Sequence, residues 1–422
     1  MRNIHKGWII LILLFFTMLG SLGFGRFSMG AILPFMREGL ALDYRQMGFI
    51  ASSAFIGYLI SVSIIGYFVI RFNAKTVINY SLLIICVGMV VCANATSFWL
   101  AYGGCLLLGL GSGGSSIPAM GLAGRWFSNE KKGMAIGFAM GGLGLGIVIS
   151  GLVVPLIINV TIEGWRVSWY ILTVITMSFI MLNWLFLKNS PEEAGLEPIG
   201  NQNVETRQSV EREHAIKSDK WAVYRNKQVW MIGFIYLSWG FSYLIFSTFL
   251  VDYLMNDVGY SEWLEGLFFF IAGLVSIVSG FIRGGISDKF GRMFALSLVL
   301  TIQFLMLMAL SVSTSAAFIF VEVILYGFTL WAVPTIMNAS VSEFVPLMFV
   351  PVAMGFVTIF FSVGQIISPI VMGVLIESTN SYFGAFLLSA FISLFGAIGC
   401  MRLHSIQRTK QLAKMRNEGL EV

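Results

Sequence analysis

A chain of 422 residues in which 57% of side chains are hydrophobic and only 11% are charged is not built for water. Soluble domains carry about 25% charged residues, so an extra-membrane enzyme or binding module is excluded first. The net charge of +5 does not mark a nucleic-acid surface either, because the basic residues follow a membrane pattern described below.

Apolar runs long enough to cross a bilayer core of about 30 Å recur along the chain. They predict spans near 8–36, 45–70, 76–95, 98–122, 134–158, 168–188, 229–254, 263–286, 294–313, 316–340, 351–376 and 382–402. The first run exceeds the roughly 7–15 apolar residues of a secretory signal and is read as a retained helix. Apart from Arg37, Arg45 and Arg166 on one side and Arg26 and Arg283 within spans, every Lys and Arg falls at the N-terminus, in the even-to-odd loops, in the central loop or in the tail. Such residues stay cytoplasmic during insertion. The expectation is a multi-pass protein of the cell inner membrane, with both termini cytoplasmic and an even number of spans. Cys86, Cys92, Cys105 and Cys400 lie inside apolar runs without metal or redox spacing and read as small buried hydrophobes.

The polar stretch after Lys188 divides the chain into a first six-span bundle (1–188), a linker (189–228), a second six-span bundle (229–402) and a tail (403–422). The bundles are related. Gly48, Gly66, Gly109, Gly137 and Gly146 recur at one constant offset as Gly266, Gly284, Gly327, Gly355 and Gly364, and "AIGF" at 135–138 stands opposite "AMGF" at 353–356. Duplicated halves with a site at their interface are a recurring transporter design.

After span 8 the chain reads "GGISDKFGR", with Gly284, Asp288, Lys289, Gly291 and Arg292. This resembles the G-x-x-x-D-[RK]-x-G-R signature of the major facilitator superfamily. The first-half copy, "GYFVIRFNAK" from Gly66, has Ile70 in place of the aspartate and Asn73 in place of the glycine, and "EGWRVSW" before span 6 is similar to another family element. The resemblance implies an all-α membrane protein with twelve transmembrane helices in two pseudo-symmetric six-helix bundles. It also implies a cavity lined mainly by spans 1, 4, 7 and 10, and alternating access by rocking. The usual drug-antiporter marks are absent: Cys105, not arginine, precedes Gly109 by four residues, and "GGLGLGIVISGLVVP" in span 5 has no Gly-Pro pair.

Intramembrane polar residues carry the functional expectations. Arg26, in "GFGRFSMG", lies roughly 16 Å along the helix from Arg37 at about 1.5 Å per residue, beyond comfortable snorkelling. A mid-helix arginine costs about 2.5–3.5 kcal/mol on insertion scales, and its planar fork suits a carboxylate. Either it binds cargo or it is tied to helix carbonyls or a fixed acid. Gly23 and Gly30 fall on its face and are expected to leave room beside it. Glu322, Tyr326 and Thr329 form an i, i+4, i+7 stripe on span 10, where the carboxyl suits a proton carrier, if it does not instead pair with Arg26 or stand hydrated near the interface. Tyr236, Gly240, Tyr243 and Ser247 share a face of span 7, and Gln365 in span 11 and Ser112 in span 4 complete the candidates. Asp252 is out of phase with Tyr243 and is placed at the outer mouth. Gly284, Asp288, Gly291 and Arg292 form the expected gating element.

The predicted function is proton-coupled transport of a small organic anion, a carboxylate above all, by a monomer that needs no cofactor and binds no metal or nucleic acid. Arg26 would bind the anion, Tyr243, Tyr326, Gln365 and Ser112 would orient it, and Glu322 would carry the proton. The rivals are an exporter of drugs or other cationic or hydrophobic compounds that uses Glu322, and a non-transporting receptor on the same fold. No nucleophile, metal set or cofactor loop suggests an enzyme.

Overall fold

The computed structural model describes residues 5–417 except 159, 162, 201–221, 280–290, 313–314, 331, 342 and 346–348. Among the described residues twelve principal helices follow one another: α1 (Lys6–Gly39), α2 (Tyr44–Phe72), α3 (Ala74–Ala93), α4 (Phe98–Trp126), α5 (Asn129–Ile158), α6 (Gly164–Phe186), α7 (Lys227–Val258), α8 (Glu262–Ser279), α9 (Arg292–Val312), α10 (Ala316–Leu330, followed by Ala332–Val341), α11 (Val350–Thr379) and α12 (Phe383–Asn417). Eleven described helices are long and apolar enough to cross a membrane, and Trp263–Ile277 within α8 is a shorter apolar one. The predicted all-helical architecture holds.

The helix ends follow local chemistry. Asp43 caps α2, its carboxylate accepting from the Gln46 N–H at 2.7 Å while the Gln46 side chain accepts from the Asp43 N–H at 3.1 Å, a reciprocal capping box. Asn73 closes α2 and opens α3 at a φ of +67°, and its side chain accepts from the Thr76 N–H at 3.0 Å. Asn73 occupies the position that Gly291, at φ +90°, holds in the second half. Asn73 thus shares the positive φ of its glycine counterpart, and its ψ of +160° places it in a region otherwise almost confined to glycine.

The chain forms two compact units. One contains α1–α6 with Phe246–Ile277 and Pro369–Tyr382; the other contains the first part of α7, α9, α10, most of α11, and α12. Large apolar side chains stand exposed on both units, Ile70, Val160 and Trp99 on the first and Val312 and Phe395 on the second, as a lipid-facing surface requires. α1 and α7 are the most enclosed: 72% and 78% of their apolar stretches are buried, against 33% for α2 and α6. Polar side chains bond across helices in place of water. In the first unit Asn183 Nδ2 donates to Thr17 Oγ1 at 2.9 Å. In the second, Ser297 and Ser393 donate across α9 and α12 to the carbonyls of Ala397 and Leu300.

Candidate functional site

The answer to why α1 carries an arginine begins with its backbone. From Leu19 to Phe27 the helix is π-wound, and the Ser28 N–H bonds the Gly23 carbonyl five residues back at 3.0 Å. Wide turns of this kind re-aim side chains and concentrate at functional sites. Arg26 is the penultimate residue of that stretch and is 8% exposed. Its guanidinium lies 4.3 Å from the ring centre of Phe55 and 4.5 Å from that of Tyr58, both on α2, and 5.7 Å from Phe27. A delocalised, weakly hydrated cation is suited to such faces, each contributing about 0.5–2 kcal/mol.

The glycines beside it do something other than expected. A methyl at Gly23 would meet Gly146 Cα of α5 at 3.0 Å, and one at Gly30 would meet the Ser247 carbonyl oxygen at 2.1 Å. They admit the backbones of α5 and α7 and open no space for the guanidinium. Ser112 is likewise spent on packing: its hydroxyl donates to the carbonyls of Leu108 and Ser21 at 2.7 and 3.0 Å, and Ser115 Oγ donates to Ser21 Oγ at 2.6 Å. The hydroxyls of α4 thus rivet it to α1.

In the second unit the structure brings three predicted residues together. The Tyr326 hydroxyl of α10 donates to the Tyr243 carbonyl of α7 at 2.9 Å, and the Gln365 amide of α11 donates to the Tyr243 hydroxyl. Tyr243, Tyr326 and Gln365 are all buried. Glu322, two turns from Thr329 on α10, is 3% exposed, and among the described residues neither of its carboxyl oxygens has a hydrogen-bond partner. Thr329 accepts from Gln303 Nε2 of α9 at 3.2 Å.

Several residues at or near these clusters escape the sequence reading. Trp239 and Phe361 join Tyr236 and Tyr243 in a column of near-parallel rings, with centroid spacings of 4.5, 5.1 and 4.6 Å. The Trp239 indole is fully buried, and its N–H has no acceptor among the described residues. Its i, i+4 spacing to Tyr243 was the available signal. Glu265, near the start of α8, is a further buried acid. Of the gating element, Gly284 and Asp288 lie outside the described residues. Arg292 Nε pairs with Glu343 Oε1 at 3.3 Å, and Gln407 donates to Glu343 Oε2 at 2.9 Å. Glu343 is therefore a partner of Arg292 that no local pattern announced.

Buried ionisable groups inside a many-span helical fold define a membrane transport protein. The chain belongs to the Major Facilitator Superfamily, whose family model matches residues 14–348. It is 24% identical to a probable sulfoacetate transporter of Cupriavidus necator over 90% of each chain, and 25% identical to a hexuronate transporter of Bacillus subtilis over 93% of each. Its fold matches the crystal structure of a D-xylose–proton symporter with a TM-score of 0.72, covering 93% of this chain and 97% of that one at 16% identity.

Proposed function

We propose that this transporter carries a small organic anion bearing a carboxylate or sulfonate, coupled to a proton. The observation that carries the reading is Arg26, a permanently charged fork buried on α1 against Phe55 and Tyr58. Insertion scales set the cost of such a group at about 2.5–3.5 kcal/mol, and binding an anion is a return for that cost. Sulfoacetate and hexuronates, the cargoes in the names of two relatives, are both anions at neutral pH.

The hydroxyl and amide groups of Tyr243, Tyr326 and Gln365 orient the cargo. Glu322 carries the proton: a buried carboxyl with no hydrogen-bond partner among the described residues either holds a proton or must acquire a cation, and alternation between those conditions is what coupling requires. Movement is of the halves 1–188 and 229–402, joined by 189–228, with Arg292 and Glu343 paired on the cytoplasmic side. The basic loops support an inner-membrane protein with both termini and the tail 403–422 in the cytoplasm.

The test is uptake of sulfoacetate and D-glucuronate into proteoliposomes under an imposed pH gradient. At least one is expected to accumulate with wild type and not with Arg26→Gln. Accumulation of cationic compounds alone, unaffected by Arg26→Gln, would overturn the reading.

A further inference from the structure

The ends of α1 and α7 away from the N-terminus carry a second charged cluster, inside the first unit. Arg37 Nε lies 3.2 Å from Asp252 Oδ1, with the Asp252 side chain fully buried and that of Arg37 15% exposed. Around this pair, Tyr44 and Tyr382 meet edge to face at 6.0 Å, and the Tyr44 N–H donates to Glu377 Oε2 at 2.9 Å. Arg37 and Tyr44 come from the first half of the sequence; Asp252, Glu377 and Tyr382 come from the second.

Each partner of the ion pair has other contacts within its own half. Asp252 also accepts from Asn256 Nδ2 at 3.2 Å and from the Tyr382 hydroxyl. Burial first, and then the Asp252 carboxylate, hold that hydroxyl well above the ordinary phenol range, so it stays a donor. Arg37 stands 4.5 Å from the ring centre of Tyr44 and 3.6 Å from Glu38 Oε1. When the Arg37–Asp252 bond opens, neither charge is left bare. A buried pair that leaves an uncompensated charge on breaking is costly to open; this one keeps other contacts on both sides.

Arg37 follows Arg26 by eleven residues, about three α-helical turns and within about 20° of the same face. We propose that the Arg37–Asp252 pair is an exchangeable latch: the first-half and second-half segments part here, and the cargo anion takes Asp252's place on Arg37 before it reaches Arg26. The second clause rests on the anion reading of Arg26; the first does not. The cargo then offsets part of the free energy of opening by replacing one carboxylate with another.

Two measurements test the latch. Spin labels at Leu40→Cys and Ser378→Cys report the distance across it, the four native cysteines being buried. One short distance is expected in wild type, a longer population in Asp252→Asn and in Arg37→Gln, and a return to the short distance in the Arg37→Asp/Asp252→Arg exchange. Unchanged distances in both single variants, with folding confirmed by gel filtration, would overturn the latch. In proteoliposomes, Asp252→Asn frees Arg37 and is expected to lower the half-saturating D-glucuronate or sulfoacetate concentration about tenfold, the worth of one modest charge-assisted bond. Adding Arg37→Gln should abolish that gain; an equal gain without Arg37 would refute its contact with cargo. If Arg26→Gln leaves anion uptake intact while the spin-label shifts occur, the cargo reading fails and the latch stands.

Discussion

Replacing Gly48 with alanine tests how tightly the segments around the latch are closed. A methyl on Gly48 of α2 would lie 2.1 Å from the Pro369 carbonyl oxygen of α11, where ordinary contact begins at about 3.4 Å. Backbone cannot rotate aside as a side chain can, so the helices must part by more than ~1 Å. Overpacking of this kind costs about 1–3 kcal/mol. Alanine also gains about 1 kcal/mol over glycine in a helix interior, and the same helix supplies the control for that gain: Gly66 has nothing within 4 Å. The difference between Gly48→Ala and Gly66→Ala therefore isolates the clash at about 1–3 kcal/mol. Unfolding in detergent should rank Gly66→Ala at or above wild type and Gly48→Ala below both. The Leu40–Ser378 distance should lengthen only in Gly48→Ala. Equal stability of the two variants, with equal distances, would refute the close approach of α2 and α11.

Other outcomes follow from single side chains. Glu322→Gln should abolish accumulation driven by a pH gradient while sparing exchange of labelled for unlabelled anion; loss of exchange as well would make Glu322 a contact for cargo or fold and not the proton carrier. Trp239→Phe keeps the ring column and removes a buried donor with no acceptor among the described residues, whose desolvation costs about 1–3 kcal/mol. It should raise the unfolding temperature of the empty protein, and a fall would mean that the indole N–H is already satisfied. Ser112→Ala should lower stability by about 1 kcal/mol, the usual worth of a lost intramolecular hydrogen bond, with the half-saturating anion concentration unchanged in the uptake assay.

Helices and their order were legible because an apolar run of bilayer length has few alternatives, and the glycine repeat exposed the duplication. Arg26, Glu322 and the Tyr243–Tyr326–Gln365 group were legible because a polar atom among apolar neighbours needs a reason. What those groups touch was not. A glycine reveals that something approaches, but not what: Gly23 and Gly30 receive Gly146 and Ser247, and Arg26 is held by two rings of α2. Ser112 read as a ligand contact because a hydroxyl in a span looks functional, whereas carbonyls of its own and the neighbouring helix absorb it. Trp239 and Phe361 are aromatics in apolar spans, which pattern alone does not separate from core, and Glu265 lies near a helix start, where acids are common. Arg37 and Asp252 are 215 positions apart, and no periodicity joins residues at that distance. Only the fold does.

The most direct measurement is thermal unfolding of the purified carrier with D-glucuronate or sulfoacetate, in wild type, Arg26→Gln and Arg26→Lys. A ligand at a hundred times its dissociation constant stabilises by about 2.7 kcal/mol. The account predicts that at least one anion raises the wild-type unfolding temperature, that Arg26→Gln abolishes the rise, and that Arg26→Lys keeps part of it. Equal stabilisation of wild type and Arg26→Gln by the same anion would contradict it.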